Sequence, residues 1–430
     1  MGTIYKGNII TIFLLIGLAV YCIFFPCKDS IAGVKGTGIL SVIVLVYCVY
    51  YEIKRFGRIN LFVIFTIMAY MVHCGQCLSI TMGTPLDKSA SYVYGKHGCK
   101  EIIYAARFSI LSLTALSLGG SLAYGRKVKL AIGRKKDILG KELTNINSML
   151  NTGMFLCAVS IPFDIYFNAV SAVRSMRYGY LFLYEGAYSF KNSSSILGTM
   201  SLFCIPGCFL LAYAWKVKGS RWKYLPVFYL VIRSISDFVT GGRGEASAVL
   251  IALVYFLFLM DRQKLSDIKM KYIIMGGIGA YLFSGVFLSI FVWRNADDRS
   301  IESLFSELIA VLLSGGVFRK IVTSLSVEYP LYEVIRGVKD GTFGMRYGLT
   351  FLYSIIMIIP SFLRGDLYKN GYEAGLIALE GDLTAAANVG YGIGYTLFTE
   401  AYLNLGMFGC LLMIPYGYVV GKIIILLSCL

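Results

Sequence analysis

Eleven stretches of this chain are too apolar, over too great a length, to fold in water. They run near 9–25, 37–51, 59–80, 102–124, 149–170, 196–215, 224–240, 246–260, 272–292, 347–363 and 396–428. At about 20 residues per crossing, most are long enough to traverse about 30 Å of hydrocarbon. No water is present there to bond N–H and C=O groups, so a crossing segment must satisfy its own backbone, which an isolated strand cannot do. Barrel strands would alternate apolar with polar residues, and these runs do not. The expected fold class is all-α: a polytopic integral membrane protein with about 10–11 transmembrane helices. Composition excludes the alternatives, since 57% apolar and 15% charged residues suit neither an ordinary soluble enzyme nor a disordered chain.

The charges that remain are placed unevenly. Lys6 and the connections 52–58, 125–141, 216–223 and 261–271 together hold +15 of the net +16. The most basic, 125–141, has seven Lys or Arg against Asp137 alone. The intervening connections 26–36, 81–101, 171–195 and 240–245 range only from zero to +2. Basic loops stay in the cytoplasm, so the N-terminus is expected there, with odd-numbered spans leading outward. The surplus thus reads as a topology signal rather than a nucleic-acid footprint. The first span follows a single Lys and precedes Pro26-Cys27-Lys28, which lacks a small-residue cleavage pattern, so it is expected to be retained.

Past the ninth span, 293–346 balances seven acidic against seven basic residues, and 364–395 has a net charge of −2, unlike any inner loop. The run 347–363 is therefore expected to re-enter or lie at the interface, with ten full spans and 293–395 as an extracytoplasmic cap. The final run, at 33 residues, exceeds one crossing, so Thr396 to about Phe408 should lie at or above the outer interface. The whole of 1–430 reads as a single transmembrane domain.

Charged residues inside spans are costly and usually face a cavity or a partner. Arg233 and Asp237 lie four apart on one helix, with Thr240 near the same face, and can pair with each other or line a polar cavity. Arg107 and Asp164 could form an interhelical pair or sit near the interface. The shortest outer turn, Thr240-Gly241-Gly242-Arg243-Gly244-Glu245, combines glycines that permit close backbone approach with a guanidinium suited to phosphate; its bland alternative is a hairpin turn. The third outer loop mixes Arg174 and Arg177 with Tyr178 and Tyr180, and Arg294 leaves the ninth span in a polar cluster. Tyrosines there can face sugars or simply form an interfacial belt. Thr396, Glu400 and Asn404 share one face of the last helix at i, i+4 and i+8, where capping or packing is the bland role for Glu400. Two histidines, His73 and His97, and no carboxylate cluster with ligand spacing leave no metal site. Cys77 and Cys99 lie close enough to the outer side for a disulfide to be open.

The C-terminal order of motifs resembles a known family. Ile359-Pro360-Ser361 precedes a polar loop, then Gly394, Thr396, Glu400, Tyr402, Asn404, Gly406 and Gly409. This resembles the end of Wzy-type O-antigen polymerases, in which the Gly-Gly-Arg-Gly-Glu turn and the Arg/Tyr-rich third outer loop are similarly placed. The resemblance implies a GT-C-type architecture like that of O-antigen ligases. It also implies a metal-independent glycosyltransferase with no cofactor, working on undecaprenyl-pyrophosphate-linked oligosaccharide at the outer face of the bacterial inner membrane, with a chain-length regulator protein as a candidate partner. On that reading Arg243, with Arg174, Arg177 or Arg294, holds pyrophosphate, and Glu400 or Glu245 is the base. Tyr178 and Tyr180 contact sugars; Asn404, Arg233 and Asp237 complete the substrate site. Two further readings stay open: a lipid-linked oligosaccharide flippase using Arg233 and Asp237, and an O-antigen ligase.

Overall fold

A computed structural model describes residues 6–27, 29–56, 60–86, 98–124, 139–178, 200–240, 243–259, 270–293, 301–313, 316–342, 344–356 and 396–429. Among these every regular element is helical. The chain divides into two compact units, Met1–Ile132 with Phe318–Leu430, and Gly133–Val317.

The first unit opens with α1 (Lys6–Phe24), α2 (Ile31–Phe56), α3 (Leu61–Thr81) and α4 (Cys99–Ala123). Its later part holds α11 (Val317–Leu325), whose first residue belongs to the other unit, then α12 (Tyr329–Lys339), α13 (Leu349–Ile356), α14 (Leu397–Leu405) and α15 (Met413–Cys429). The second unit holds α5 (Leu139–Tyr178), α6 (Cys204–Val217), α7 (Tyr224–Val239), α8 (Arg243–Val254), α9 (Met270–Trp293) and α10 (Ile301–Leu313). Each expected apolar run contains a helix. Six segments are long and apolar enough to cross a membrane: Ile31–Phe56, Leu61–Thr81, Cys99–Ala123, Ile146–Ser175, Met200–Val217 and Leu397–Ile425. Gly7–Cys22, Ala246–Leu257 and Gly277–Ile290 are shorter apolar helices. Of the run 347–363, the described part is Tyr347, Gly348 and the eight-residue α13, and 357–363 lies outside the described residues.

The centre of the first unit is α4, buried on nearly every side and packed by α1, α2, α3, α12 and α15. Its sequence suits that place. Ser109, Ser112, Thr114, Ser117 and Ser121 are all buried, and small side chains let neighbouring backbones approach. Against α15 the approach is closest. A Cβ on Gly119 would overlap the Ile414 carbonyl, and one on Gly417 the Leu116 carbonyl. Gly417 and Gly421 form the small-xxx-small spacing that such contacts require. By contrast α1 turns Ile10, Phe13 and Ile16 outward, as a lipid-facing helix does.

One expectation is revised here, and two questions left open by the sequence are taken up. Glu52, counted with the 52–58 connection, lies inside α2 with no exposed surface, accepting hydrogen bonds from Thr66 Oγ1 at 2.8 Å and from Ser117. A charge next to Lys54 and Arg55 looks like loop in one dimension, but the last turn of α2 faces α3 and α4. Arg107 and Asp164 each find partners within their own unit. Arg107 donates to the Phe25 carbonyl just beyond α1 and, at 3.1 Å, to Tyr21. Cys77 and Cys99 are free thiols, and Cys77 Sγ instead meets the Val34 carbonyl at 3.4 Å.

Candidate active site

The last apolar run is not one helix. Thr396 caps α14, its hydroxyl accepting from the Thr399 N–H at 3.2 Å. The helix stops at Gly406, whose φ of +58° suits glycine, and a 3-10 segment, Gly406–Leu412, leads into α15. A Cβ on Gly409 would overlap the Ala401 carbonyl, so the 3-10 segment folds back tightly on α14.

This break sets Glu400 in a built environment. Thr350, at the start of α13, donates to Glu400 Oε1 at 2.6 Å. Asn404, with no exposed surface, donates to the Thr350 hydroxyl at 2.6 Å and to the Glu400 carbonyl at 2.8 Å. Its own carbonyl accepts from the Gly348 N–H at 2.7 Å. The Arg346 and Tyr347 N–H groups donate to the Leu403 and Asn404 carbonyls at 3.1 and 3.0 Å, satisfying the open end of α14. To make these bonds Tyr347 takes φ +47°, a costly conformation for a residue other than glycine, and Gly348 follows at +91°. The result is a strap, 346–350, that holds a partly exposed carboxylate in one orientation. Asn404 spends both amide protons and its oxygen inside the protein, which makes it the residue that orients the site. The i, i+4, i+8 face expected for Thr396, Glu400 and Asn404 is thus a cap, a carboxylate and its anchor.

In the second unit Arg233 lies between two acids. Its Nε meets Asp164 Oδ1 at 3.1 Å and its Nη1 meets Asp237 Oδ2 at 2.6 Å, all three buried. Tyr229 donates to Asp164 Oδ2 at 2.8 Å, so Tyr229, Arg233 and Asp237 line one face of α7 toward α5. Asp164 is the partner the sequence left open. The Thr240 hydroxyl closes α7 on the Asp237 carbonyl at 3.2 Å.

The other expected residues fall as follows. Arg174, Arg177 and Tyr178 are the last turn and a half of the 40-residue α5 rather than loop, Arg174 partly buried and Arg177 exposed. Arg243 and Glu245 lie in the first turn of α8. Tyr180 and Arg294 lie outside the described residues. Glu400 and Asn404 belong to the first unit; Arg174, Arg177, Arg233, Asp237, Arg243 and Glu245 belong to the second. Among the described residues no group of three His, Cys, Asp or Glu could hold a metal. Thr350 and the strap were missed from sequence. A signal exists: Met345-Arg346-Tyr347-Gly348 repeats Met176-Arg177-Tyr178-Gly179, the stretch that holds Arg177 and Tyr178.

These features define an all-α, polytopic integral membrane protein with a hydroxyl-held carboxylate on its final helical run. The family model for O-antigen polysaccharide polymerase Wzy matches residues 7–427, nearly the whole chain, and the chain belongs to that family. Membership places it in O-antigen polymerisation, as a glycosyltransferase-like polymerase. No curated protein matches the chain. No solved structure matches it either.

Proposed function

We propose that the chain joins lipid-linked oligosaccharide repeat units at the outer face of the bacterial inner membrane, with Glu400 as the base. The acceptor sugar hydroxyl attacks the anomeric carbon of the growing chain, the bond to the lipid pyrophosphate breaks, and the hydroxyl proton passes to the Glu400 carboxylate. The observation that carries this reading is the fixed geometry of Glu400: a partly exposed carboxylate oriented by Thr350, itself held by buried Asn404. A base must be presented rather than free to rotate, and three backbone N–H groups and a strained tyrosine serve that presentation.

The leaving pyrophosphate needs cations. Arg243, Arg174, Arg177 and Arg294 are the guanidinium groups proposed for it, because forked donors stabilise charge that develops on phosphate oxygens. Tyr178 and Tyr180 are proposed to contact sugars, and Glu245 is the alternative base. Arg233 already bonds two carboxylates, so its proposed contribution, with Asp237, is to hold α7 against α5 beneath the glycine turn. The orientation drawn from loop charge, with the N-terminus cytoplasmic and 293–395 as a cap within one transmembrane domain, belongs to this proposal. So do its metal independence, the undecaprenyl pyrophosphate carrier and a chain-length regulator as partner.

The test is in cells. Glu400→Gln and Arg243→Ala, each at wild-type membrane levels, should leave lipopolysaccharide bearing a single repeat unit instead of a ladder on a gel. Full ladders from both variants would refute the assignment.

A further inference from the structure

In a regular helix the Gln76 N–H donates to the Val72 carbonyl. In α3 each of these two groups has a partner from the turn between α11 and α12. The Gln76 N–H donates to Glu328 Oε1 at 2.7 Å, and the Val72 carbonyl accepts from the Val327 N–H at 2.9 Å. The turn is wedged against the ladder of a membrane-crossing helix. Gly75 makes room for it, since a Cβ there would stand 2.9 Å from the Val322 carbonyl and 3.1 Å from Ser326 Cβ. A second tie, Ser79 to Thr323 at 2.6 Å, lies one turn further along α3.

Glu328 is fully enclosed at this junction. Its Oε1 also accepts weakly from Ser326 at 3.4 Å, and its Oε2 accepts from the Tyr332 hydroxyl. One carboxyl group therefore joins α3 to α12. From there two contacts lead to Glu400. The helix α12 packs against α14, and His73 of α3 stacks on Phe398 of α14 with ring centroids 3.9 Å apart. Leu331, Tyr332, Phe398, Ala401 and Tyr402 belong to one continuous core, so displacement of α12 is displacement of α14.

We propose that Glu328 is a positioning residue for the Glu400 helix, a carboxyl clasp that seats α12 and α14 on the C-terminal half of α3. This rests on the assignment of Glu400 above. The groups facing the clasp are the Tyr70, Cys74 and Cys77 side chains of α3, the Ser326 hydroxyl of the turn and the Tyr332 phenol of α12. Burial pushes the carboxyl up to about 7, against the opposing pull of the Tyr332, Gln76 and Ser326 donors. The folded protein thus holds a proton at Glu328 that the unfolded chain releases near its ordinary value. The junction is tightest at acid pH, loosens as pH rises toward 7, and is level above it.

The experiment is hydrogen exchange on the full-length protein in detergent, following peptides covering 70–80 and 397–405 at pH 6 and 8, corrected for intrinsic rates. In the wild type both peptides should lose protection by about threefold or more between the two values. Glu328→Gln keeps an acceptor for the Gln76 N–H and cannot ionise, so its protection should not vary with pH, and it should retain polymerisation in cells. Tyr332→Phe removes a donor that supports the ionised form and should move the midpoint upward. Glu328→Ala should speed exchange in both peptides at both pH values and shorten the polymer. An unchanged pH response in Glu328→Gln, or unaltered 397–405 exchange in Glu328→Ala, overturns the clasp. If these shifts appear while Glu400→Gln polymerises normally, the clasp stands and the catalytic assignment falls.

Discussion

Replacing Arg233 by alanine removes the cation that two buried carboxylates share. Arg233 contacts Asp164 at 3.1 Å and Asp237 at 2.6 Å, and none of the three side chains exposes more than 7% of its surface. Breaking a buried pair by deleting one partner costs about 3–5 kcal/mol, because a charge is left without compensation. Arg233→Ala removes two such contacts at once, so it belongs at the upper end of that range. Asp237→Asn is different in kind. It keeps the Arg233–Asp164 contact and an amide oxygen still able to accept from Nη1, so about 1 kcal/mol is expected, the worth of an ordinary hydrogen bond. The same holds for Asp164→Asn, whose amide oxygen can accept from Nε while its amide N–H donates to the Tyr229 oxygen. Denaturation of the three purified variants in mixed micelles should therefore rank Arg233→Ala far below both asparagine variants. Equal losses for all three would refute the shared-cation account and mean that each acid is neutralised independently.

Two further substitutions test the first unit. Gly417→Ala places a methyl against the Leu116 carbonyl, where α4 and α15 meet backbone to backbone; a loss of about 1–3 kcal/mol in the same assay is expected, and an unchanged transition would show that the helices can separate without cost. Asn404→Leu preserves bulk but strips the Gly348 N–H of its acceptor, worth about 1–3 kcal/mol when buried and unsatisfied, and removes the donor that holds the Thr350 hydroxyl in place. Polymer should be lost at normal membrane levels of this variant; a wild-type ladder would mean that the 346–350 strap does not orient Glu400.

Helix positions were legible because they depend on a local balance. In hydrocarbon a backbone group must bond within its own segment, so an apolar run long enough to cross is helical whatever surrounds it. The sequence also marked Glu400 and Asn404, since a charge and an amide at i and i+4 beside glycines are conspicuous in an apolar run. It marked Arg233 with Asp237 for the same reason, and left their third member unidentified.

What remained hidden depends on which helices become neighbours. Asp164 is 69 residues from Arg233 and finds it only because α5 packs on α7. Thr350 reaches Glu400 across 50 residues, and Glu328 reaches the Gln76 N–H across 252. No periodicity encodes such pairings. Charge and polarity in the sequence declare that a partner must exist, because an uncompensated group in a membrane protein's interior is too costly to keep. The choice of partner is made by helix packing, which here turns on bare glycine surfaces such as Gly119, Gly417 and Gly75, where backbone meets backbone.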